Sequence, residues 1–172
     1  MSEIVVQKFG GTSVGTVDRI DSVAEIIKNA SKSNKIVVVV SAMGGETNRL
    51  VDLAKAFGDD PDKREFDALV STGETVSSAL LTMALHSKGV KAKSFSASQI
   101  SMRTTSSYSK AKILDVDAKK ILDVVENDTI PIITGFQGVT EGGDVTTLGR
   151  GGSDTTAVAI ACLLYTSDAA DE

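Results

Sequence analysis

Cysteine, histidine, proline and tryptophan are scarce in this sequence. Its 172 residues include one cysteine, one histidine, two prolines and no tryptophan. A single cysteine excludes an internal disulfide, and one histidine leaves no Cys/His metal-binding spacing and no Ser-His-Asp set. No paired-carboxylate signature is present either, so we expect no metal site built by the chain itself. The few prolines and a hydrophobic content of 41% indicate a globular domain rather than a disordered segment.

The sequence also lacks an excess of positive charge. It has 18 Lys and Arg against 23 Asp and Glu, which gives a formal net charge of −5. This balance argues against nucleic acid or an anionic membrane as a partner. The N-terminus has no basic region followed by an apolar stretch, so we expect no signal peptide, and we expect no apolar run long enough to span a bilayer. We therefore expect a cytoplasmic protein.

Glycine is what the sequence has in quantity, with fifteen residues. The densest group is Gly149-Arg150-Gly151-Gly152, which is followed by Ser153 and an apolar run at 157–161. Glycines let a backbone approach an anion, arginine can fork onto a carboxylate or phosphate, and a helix N-terminus favours negative charge. Taken alone, the stretch fits a flexible loop with an ordinary helix cap about equally well.

Two earlier segments repeat the order strand, glycine loop, helix. Ile4–Phe9 and Lys35–Val40 are β-branched runs typical of strands, and each is followed by a glycine loop and a helical pattern. The full order of elements, β-α-β-α-α-β-α-β, predicts a mostly parallel sheet with helices on both faces. The loops after Phe9, Val40 and Thr134 then share the carboxyl edge, where such sheets bind ligands.

Five motifs together resemble the amino-acid kinase family and, within it, the aspartate kinases. They are Lys8-Phe9-Gly10-Gly11-Thr12-Ser13, Val40-Ser41-Ala42-Met43-Gly44, Ser71-Thr72-Gly73-Glu74, Gly135-Phe136-Gln137-Gly138 and Thr147-Leu148-Gly149-Arg150-Gly151-Gly152-Ser153-Asp154. The resemblance covers residues 3–161, and the first and last motifs are its most specific part. It implies an αβα sandwich with a mostly parallel sheet, in which residues 1–161 are the N-terminal part of a kinase domain.

The resemblance also implies a reaction: transfer of the γ-phosphate of Mg²⁺-bound ATP to the side-chain carboxylate of L-aspartate, which opens lysine, threonine and methionine biosynthesis. It makes Lys8 and Asp154 catalytic, gives the substrate α-carboxylate to Arg150, and gives its ammonium to Glu74. Further implied substrate contacts are Ser41, Thr47 and Ser153, and the implied phosphate contacts are Lys8, Gly10, Gly11, Gly151 and Gly152. For the full-length protein it implies a homo-oligomer.

Alternatives remain open at the level of the sequence. Lys8 could be a solvated lysine, and Glu74 could serve only the dipole of its helix, since an acid in the first turn is favourable. Kinases for acetylglutamate, glutamate or UMP share the fold. A clamp of Arg150 and Glu74 argues against acetylglutamate and UMP, because neither offers an ammonium group. A non-catalytic anion-binding module is the alternative from a different class.

The last eleven residues, 162–172, depart from the pattern before them. The apolar repeat stops at Ala161, and the segment resembles the in-frame translation of a transposase adapter used to prepare sequencing libraries. We therefore expect the helix to break after Ala161 and residues 162–172 to be a non-native tail. Family members continue into a nucleotide-binding strand, so we expect this truncated chain to lack the adenine-binding half and to be inactive alone.

Overall fold

The computed structural model describes residues 3–170, and only the backbone of 166–170. Its strands are β1 (Ile4–Phe9), β2 (Lys35–Val40), β3 (Ala92–Phe95), β4 (Arg103–Thr104), β5 (Ile113–Asp115), β6 (Ile130–Thr134), β7 (Gln137–Val139) and β8 (Val145–Thr147). Its helices are α1 (Val17–Ala30), α2 (Glu46–Lys55), α3 (Lys63–Val70), α4 (Thr72–Ser87), α5 (Ala118–Glu126) and α6 (Gly152–Ala170).

Four strands form a wholly parallel sheet in the order β1-β2-β6-β3. The inner strand β2 is buried from Ile36 to Val40, which explains its unbroken apolar sequence. Phe9 pairs with Val40, and Val40 pairs with Thr134, so β1, β2 and β6 end at the same level. The loops that follow these three strands therefore meet at one edge of the sheet, as the sequence predicted.

Helices cover both faces of this sheet, and the predicted αβα sandwich is confirmed. On one face α1 and α4 pack over a core that includes Ile27 and Leu81, both without exposed surface. On the other face α5 and α6 pack over a core that includes Ile121 and Ile160, which are equally buried. Each such side chain contributes about 1.5–3 kcal/mol by leaving water, so the two cores hold the layers together.

A second, smaller sheet has the order β5-β4-β7-β8. The pair Gly142-Gly143 in the sequence predicts a hairpin turn, and β7 and β8 form that antiparallel hairpin with the pair in its connection. The segment 100–109, rich in Ser and Thr, predicts an excursion or hairpin, but not that its strand β4 joins this hairpin in a separate sheet. β8 ends at Thr147 and leads directly into the last glycine loop, so this small sheet positions that loop.

α3 and α4 follow one another so closely that Lys63–Ser87 is a nearly continuous helical stretch of 25 residues. By length and composition alone it could cross a membrane, so the expectation that no apolar run reaches that length was wrong. Half of its most apolar window is buried inside the protein, and α4 packs on α1 and β3. Burial in the core accounts for its apolar composition.

The last helix does not break where the sequence predicted. α6 runs from Gly152 to Ala170, and Leu164 is 3% exposed in the same core as Ile160. The expected end at Ala161 was therefore wrong, because a helical stripe continues past it. The non-native origin of 162–172 stays a prediction, and its last two residues, like the first two of the chain, lie outside the described residues.

The burial of Leu164 can be tested in the 172-residue chain. Leu164→Ala should destabilise it by about 2–5 kcal/mol, because removal of the buried side chain leaves a cavity, and should lower Tm by roughly 4–20 °C. Tyr165→Ala is the matched control, since that side chain is 79% exposed, and should leave Tm nearly unchanged. Circular dichroism during heating measures both. Equal Tm values for the two variants would restore the prediction of a helix that ends earlier.

Candidate active site

A cavity of about 340 Å³ opens at the carboxyl edge of the main sheet. It is lined by residues from five segments of the chain: Lys8, Gly11, Ser41, Ala42, Met43, Gly44, Gly45, Thr47, Glu74, Phe136, Gly149, Arg150, Gly151, Gly152, Ser153 and Asp154. All the predicted site residues except Gly10 are among them. Gly10 does not line the cavity but lies beside Lys8, because a Cβ atom added to it would come 3.3 Å from Lys8 Nζ. The structure thus brings together residues that lie far apart in the sequence.

The first two glycine loops pack directly on each other. A Cβ atom at Gly11 would lie 2.9 Å from the carbonyl oxygen of Ala42, so only glycine permits this contact. The loop closes through amides of Ser13 and Val14, which donate to the oxygen of Gly10. Within the part of the chain that the structure describes, the amide of Gly11 donates to no protein acceptor. It remains available to an anion in the cavity.

Lys8 and Asp154 connect the first motif to the last. Lys8 Nζ lies 2.9 Å from Asp154 Oδ1, with side-chain exposures of 28% and 69%. An ion pair this exposed adds only about 0–1 kcal/mol to stability. Its importance is positional, because Asp154 holds the ammonium at the mouth of the cavity. Lys8 is therefore not the freely solvated lysine that the sequence left as an alternative.

The N-terminus of α6 supplies further donors to the same cavity. Gly152 donates its amide to Gly149, and Thr155 donates to Gly151. The amides of Ser153 and Asp154, in the first turn, have no acceptor among the described residues. Free amides at a helix start, together with the helix dipole, favour an anion. Lys8, which pairs with Asp154, and this helix start therefore line the same part of the cavity.

Glu74 lies at the base of the cavity and is 3% exposed. Its Oε1 accepts a hydrogen bond of 3.1 Å from the amide of Ala42, while Oε2 has no partner among the described residues. Burial raises the pKa of Glu74 to about 7, and the hydrogen bond from Ala42 opposes that rise. A role limited to the helix dipole does not explain a buried carboxylate with one open oxygen.

Arg150 is the second unpaired charge in the site. Its side chain is exposed, and none of the described carboxylates lies within ion-pair distance of its guanidinium. The cavity thus offers a guanidinium, an unsatisfied carboxylate oxygen on Glu74 and the ammonium of Lys8. Ser41, Thr47 and the other lining residues add small polar groups between them. Such a set suits a zwitterion beside a phosphate.

Sequence reasoning gave no role to Gln137, which orients the helix that carries Glu74. Its Nε2 donates to the oxygen of Ser71 at 2.6 Å and to Thr75 Oγ1 at 3.1 Å, both near the start of α4. Its Oε1 accepts from Thr134 Oγ1 at 2.8 Å. The motif around Gln137 is part of the family resemblance, but its contacts with Ser71 and Thr75 span more than sixty residues and leave no local pattern.

The amino acid kinase family model matches residues 3–167. The chain belongs to the amino acid kinase family. An aspartate kinase of Pseudomonas putida is 54% identical over 162 residues, which are 94% of this chain and 39% of that protein. An aspartokinase of Geobacillus stearothermophilus is also 54% identical, over 94% of this chain and 40% of its own length. This family member therefore spans about 40% of the curated relatives it matches.

Solved structures share the fold of this chain. Aspartokinase III of E. coli in complex with aspartate and ADP matches 92% of this chain and 46% of its own, with 29% identity and a TM-score of 0.83. Aspartate kinase from Synechocystis matches 93% of this chain and 26% of its own, with 44% identity and a TM-score of 0.78. Isopentenyl phosphate kinase, at 14% identity and a TM-score of 0.62, shares the fold.

The raised pKa of Glu74 predicts how stability depends on pH. Between the ordinary pKa of 4.5 and about 7, the folded chain keeps a proton that the unfolded chain has released. Stability should therefore fall by about 3 kcal/mol as pH rises through this window and level off above it. Glu74→Gln should remove this fall, because a neutral amide replaces the buried charge.

Chemical denaturation of the 172-residue chain at pH 5 and pH 8 measures the effect as the difference between the two proteins. Glu46→Gln is the control, since that carboxyl is paired with Arg49 at the surface and its pKa is lowered rather than raised. An identical pH dependence in wild type and Glu74→Gln would contradict the assigned burial.

Proposed function

We propose that the full-length protein is an aspartate kinase, which transfers the γ-phosphate of ATP to the β-carboxylate of L-aspartate and forms 4-phospho-L-aspartate and ADP. The observation that carries the proposal is the pair of unpaired groups in one cavity: the guanidinium of Arg150 and Oε2 of Glu74. The relatives that are 54% identical bear the same name. By the full-length enzyme we mean a protein of their length that contains residues 1–161.

Arg150 and Glu74 would hold the backbone end of the substrate. The guanidinium can take the α-carboxylate through two parallel hydrogen bonds, and the open oxygen of Glu74 can accept from the ammonium. An ammonium beside Glu74 favours the ionised carboxylate and lowers its raised pKa. Ser41, Thr47 and Ser153 line the space between them and would complete the substrate contacts.

Lys8 and the glycine amides would act on the transferring phosphate. A carboxylate oxygen of aspartate attacks the γ-phosphorus, the bond to the β,γ-bridging oxygen breaks, and ADP leaves with those electrons. No general base is needed, because the attacking carboxylate is already ionised. Lys8, ordered by Asp154, would stabilise charge on the phosphoryl oxygens, together with the amides of Gly10, Gly11, Gly151 and Gly152.

Magnesium would enter this site with ATP. No group of three or more His, Cys, Asp or Glu side chains close enough to hold a metal occurs in the described range. Asp154 is the carboxylate near the phosphate region, and it is paired with Lys8. The residues therefore fit an ion held mainly by the phosphate oxygens, whose chemistry is to neutralise their charge. The proposal further includes a cytoplasmic homo-oligomer.

The proposal is tested by the substrate choice of the full-length enzyme. L-aspartate should be phosphorylated in preference to N-acetyl-L-glutamate, L-glutamate and UMP. Succinate lacks the ammonium and 3-aminopropanoate lacks the α-carboxylate, so each should lose roughly 100-fold or more in kcat/KM, because Glu74 or Arg150 then loses its charge-assisted hydrogen-bond partner. Trapping of the acyl phosphate with hydroxylamine, or coupled ADP release for UMP, measures every rate.

Two variants assign the two ends of the clamp. Glu74→Gln should shrink the preference for aspartate over succinate, and Arg150→Lys should shrink the preference over 3-aminopropanoate. A preference for acetylglutamate or UMP would instead favour a sister kinase. Absence of phosphoryl transfer to every acceptor, with retained binding of phosphate, would favour a non-catalytic anion-binding module.

Lys8→Met in the full-length enzyme should lower kcat by roughly 100-fold or more and change the KM for aspartate by less than about threefold. The lysine is proposed to act on charge that develops in the transition state, and not on the substrate backbone. Lys35→Met is the matched control, because Lys35 begins β2 at the opposite end of the sheet. If kcat is equal in both variants, Lys8 has no part in the transfer.

A further inference from the structure

Asp67 is a charged side chain without exposed surface and outside the cavity. Its Oδ2 accepts the amides of Ser109 at 2.8 Å and Thr147 at 2.7 Å. Its Oδ1 accepts the hydroxyls of the same two residues, each at 3.0 Å. A buried carboxylate that accepts four hydrogen bonds is well satisfied without a cation. None of the reaction steps above uses it.

The two partners of Asp67 both adjoin the loop that carries Arg150. Thr147 ends β8, three residues before Arg150 in the chain. Ser109 lies against Gly149, because a Cβ atom at Gly149 would come 3.0 Å from the carbonyl oxygen of Ser109. Asp67 therefore contacts Thr147, at the end of the strand before the loop, and Ser109, which packs against the loop at Gly149.

Ser109 has a backbone conformation that needs support. Its φ of 64° is in the left-handed region, which costs a non-glycine residue roughly 1–2 kcal/mol. The carboxylate of Asp67 binds both its amide and its hydroxyl, which holds this conformation. The carbonyl of Ser109 is thereby fixed where it meets Gly149. Without Asp67, Ser109 can leave the left-handed backbone conformation. Its carbonyl oxygen then no longer supports the loop at Gly149.

Asp67 also connects the two ends of the proposed clamp. It lies on α3, and Glu74 follows seven residues later on the same nearly continuous helical stretch. Asp67 on this stretch binds the strand before Arg150, and Glu74, two helical turns further along it, lines the cavity. The placement of one charged group relative to the other thus depends on a contact between residues 67 and 147.

We propose that Asp67 is a positioning residue that fixes the loop 148–151, and with it the guanidinium of Arg150, relative to Glu74. It acts through Ser109 and Thr147 and touches no substrate. The kinetic part of this inference rests on the proposed function, because it concerns the binding of the substrate's α-carboxylate by Arg150. The structural part, an ordered loop, is independent of which substrate binds.

The test uses the full-length enzyme. Asp67→Ala removes all four acceptor contacts and should raise the KM for aspartate at least 30-fold, with kcat reduced less than fivefold. Asp67→Asn should rescue part of this loss, because its oxygen can accept both amides and its NH₂ group can donate to both hydroxyls. Arg150→Lys serves as the reference for weakened binding of the substrate's α-carboxylate.

Thr146→Val is the matched control for a general loss of stability. Thr146 is buried in the same strand and its hydroxyl lies 2.6 Å from Thr104 Oγ1, away from Asp67. Hydrogen exchange of the amides at 148–152 is the second readout. Exchange should become faster in Asp67→Ala than in Thr146→Val, even when the decrease in Tm is the same for both variants.

Each outcome decides the inference. Equal KM and equal loop exchange in Asp67→Ala and Thr146→Val would overturn it, since the effect would then be one of stability alone. If Asp67→Ala does not fold, Ser109→Ala and Thr147→Val each remove one hydroxyl contact and should raise KM about threefold, and no rise would overturn it. If unsubstituted enzyme does not phosphorylate aspartate, the proposed function fails, and loop exchange still decides the role of Asp67.

Discussion

The level at which three parallel strands end is the constraint on which the rest of this structure depends. Phe9, Val40 and Thr134 are paired across the sheet, so the chain leaves it three times at one edge. Parallel strands require crossovers through helices, and these return each strand in the same direction. The loops after these three strands therefore meet at one edge of the sheet, where the first two pack on each other. Side-chain chemistry then acts on a position that backbone pairing has already set.

The helical stretch Lys63–Ser87 carries two buried carboxylates that differ in how many hydrogen bonds they accept. Asp67 accepts four hydrogen bonds, whereas Glu74 accepts one from Ala42 and leaves its other oxygen open. A satisfied buried charge holds elements in place, but an unsatisfied one costs free energy until a cation reaches it. This difference separates an anchoring role from a binding role on one helix. It also explains why burial raises the pKa of Glu74.

Local pattern was enough to predict the strands of the main sheet, the helices on its faces and the hairpin near Gly142. It also predicted that the loops after Phe9, Val40 and Thr134 would meet, because parallel strands share an edge. The same reasoning places the end of the last helix too early. The composition changes at Cys162, but Leu164 continues the apolar stripe of the helix. Apolar periodicity records a buried face, but not how far a neighbouring core extends.

The sequence by itself determined the order of elements and the parallel sheet, because these follow from periodicities of two to four residues. The residues around the cavity were predicted from motifs that resemble the amino-acid kinase family. Only the tertiary structure decided which polar groups are paired. Asp67 meets Thr147 across eighty positions, and Gln137 meets Ser71 across sixty-six. Such contacts need no local signature, because they form only after the layers have packed. The open oxygen of Glu74 was decided in the same way, since burial and the position of Ala42 together leave it without a donor.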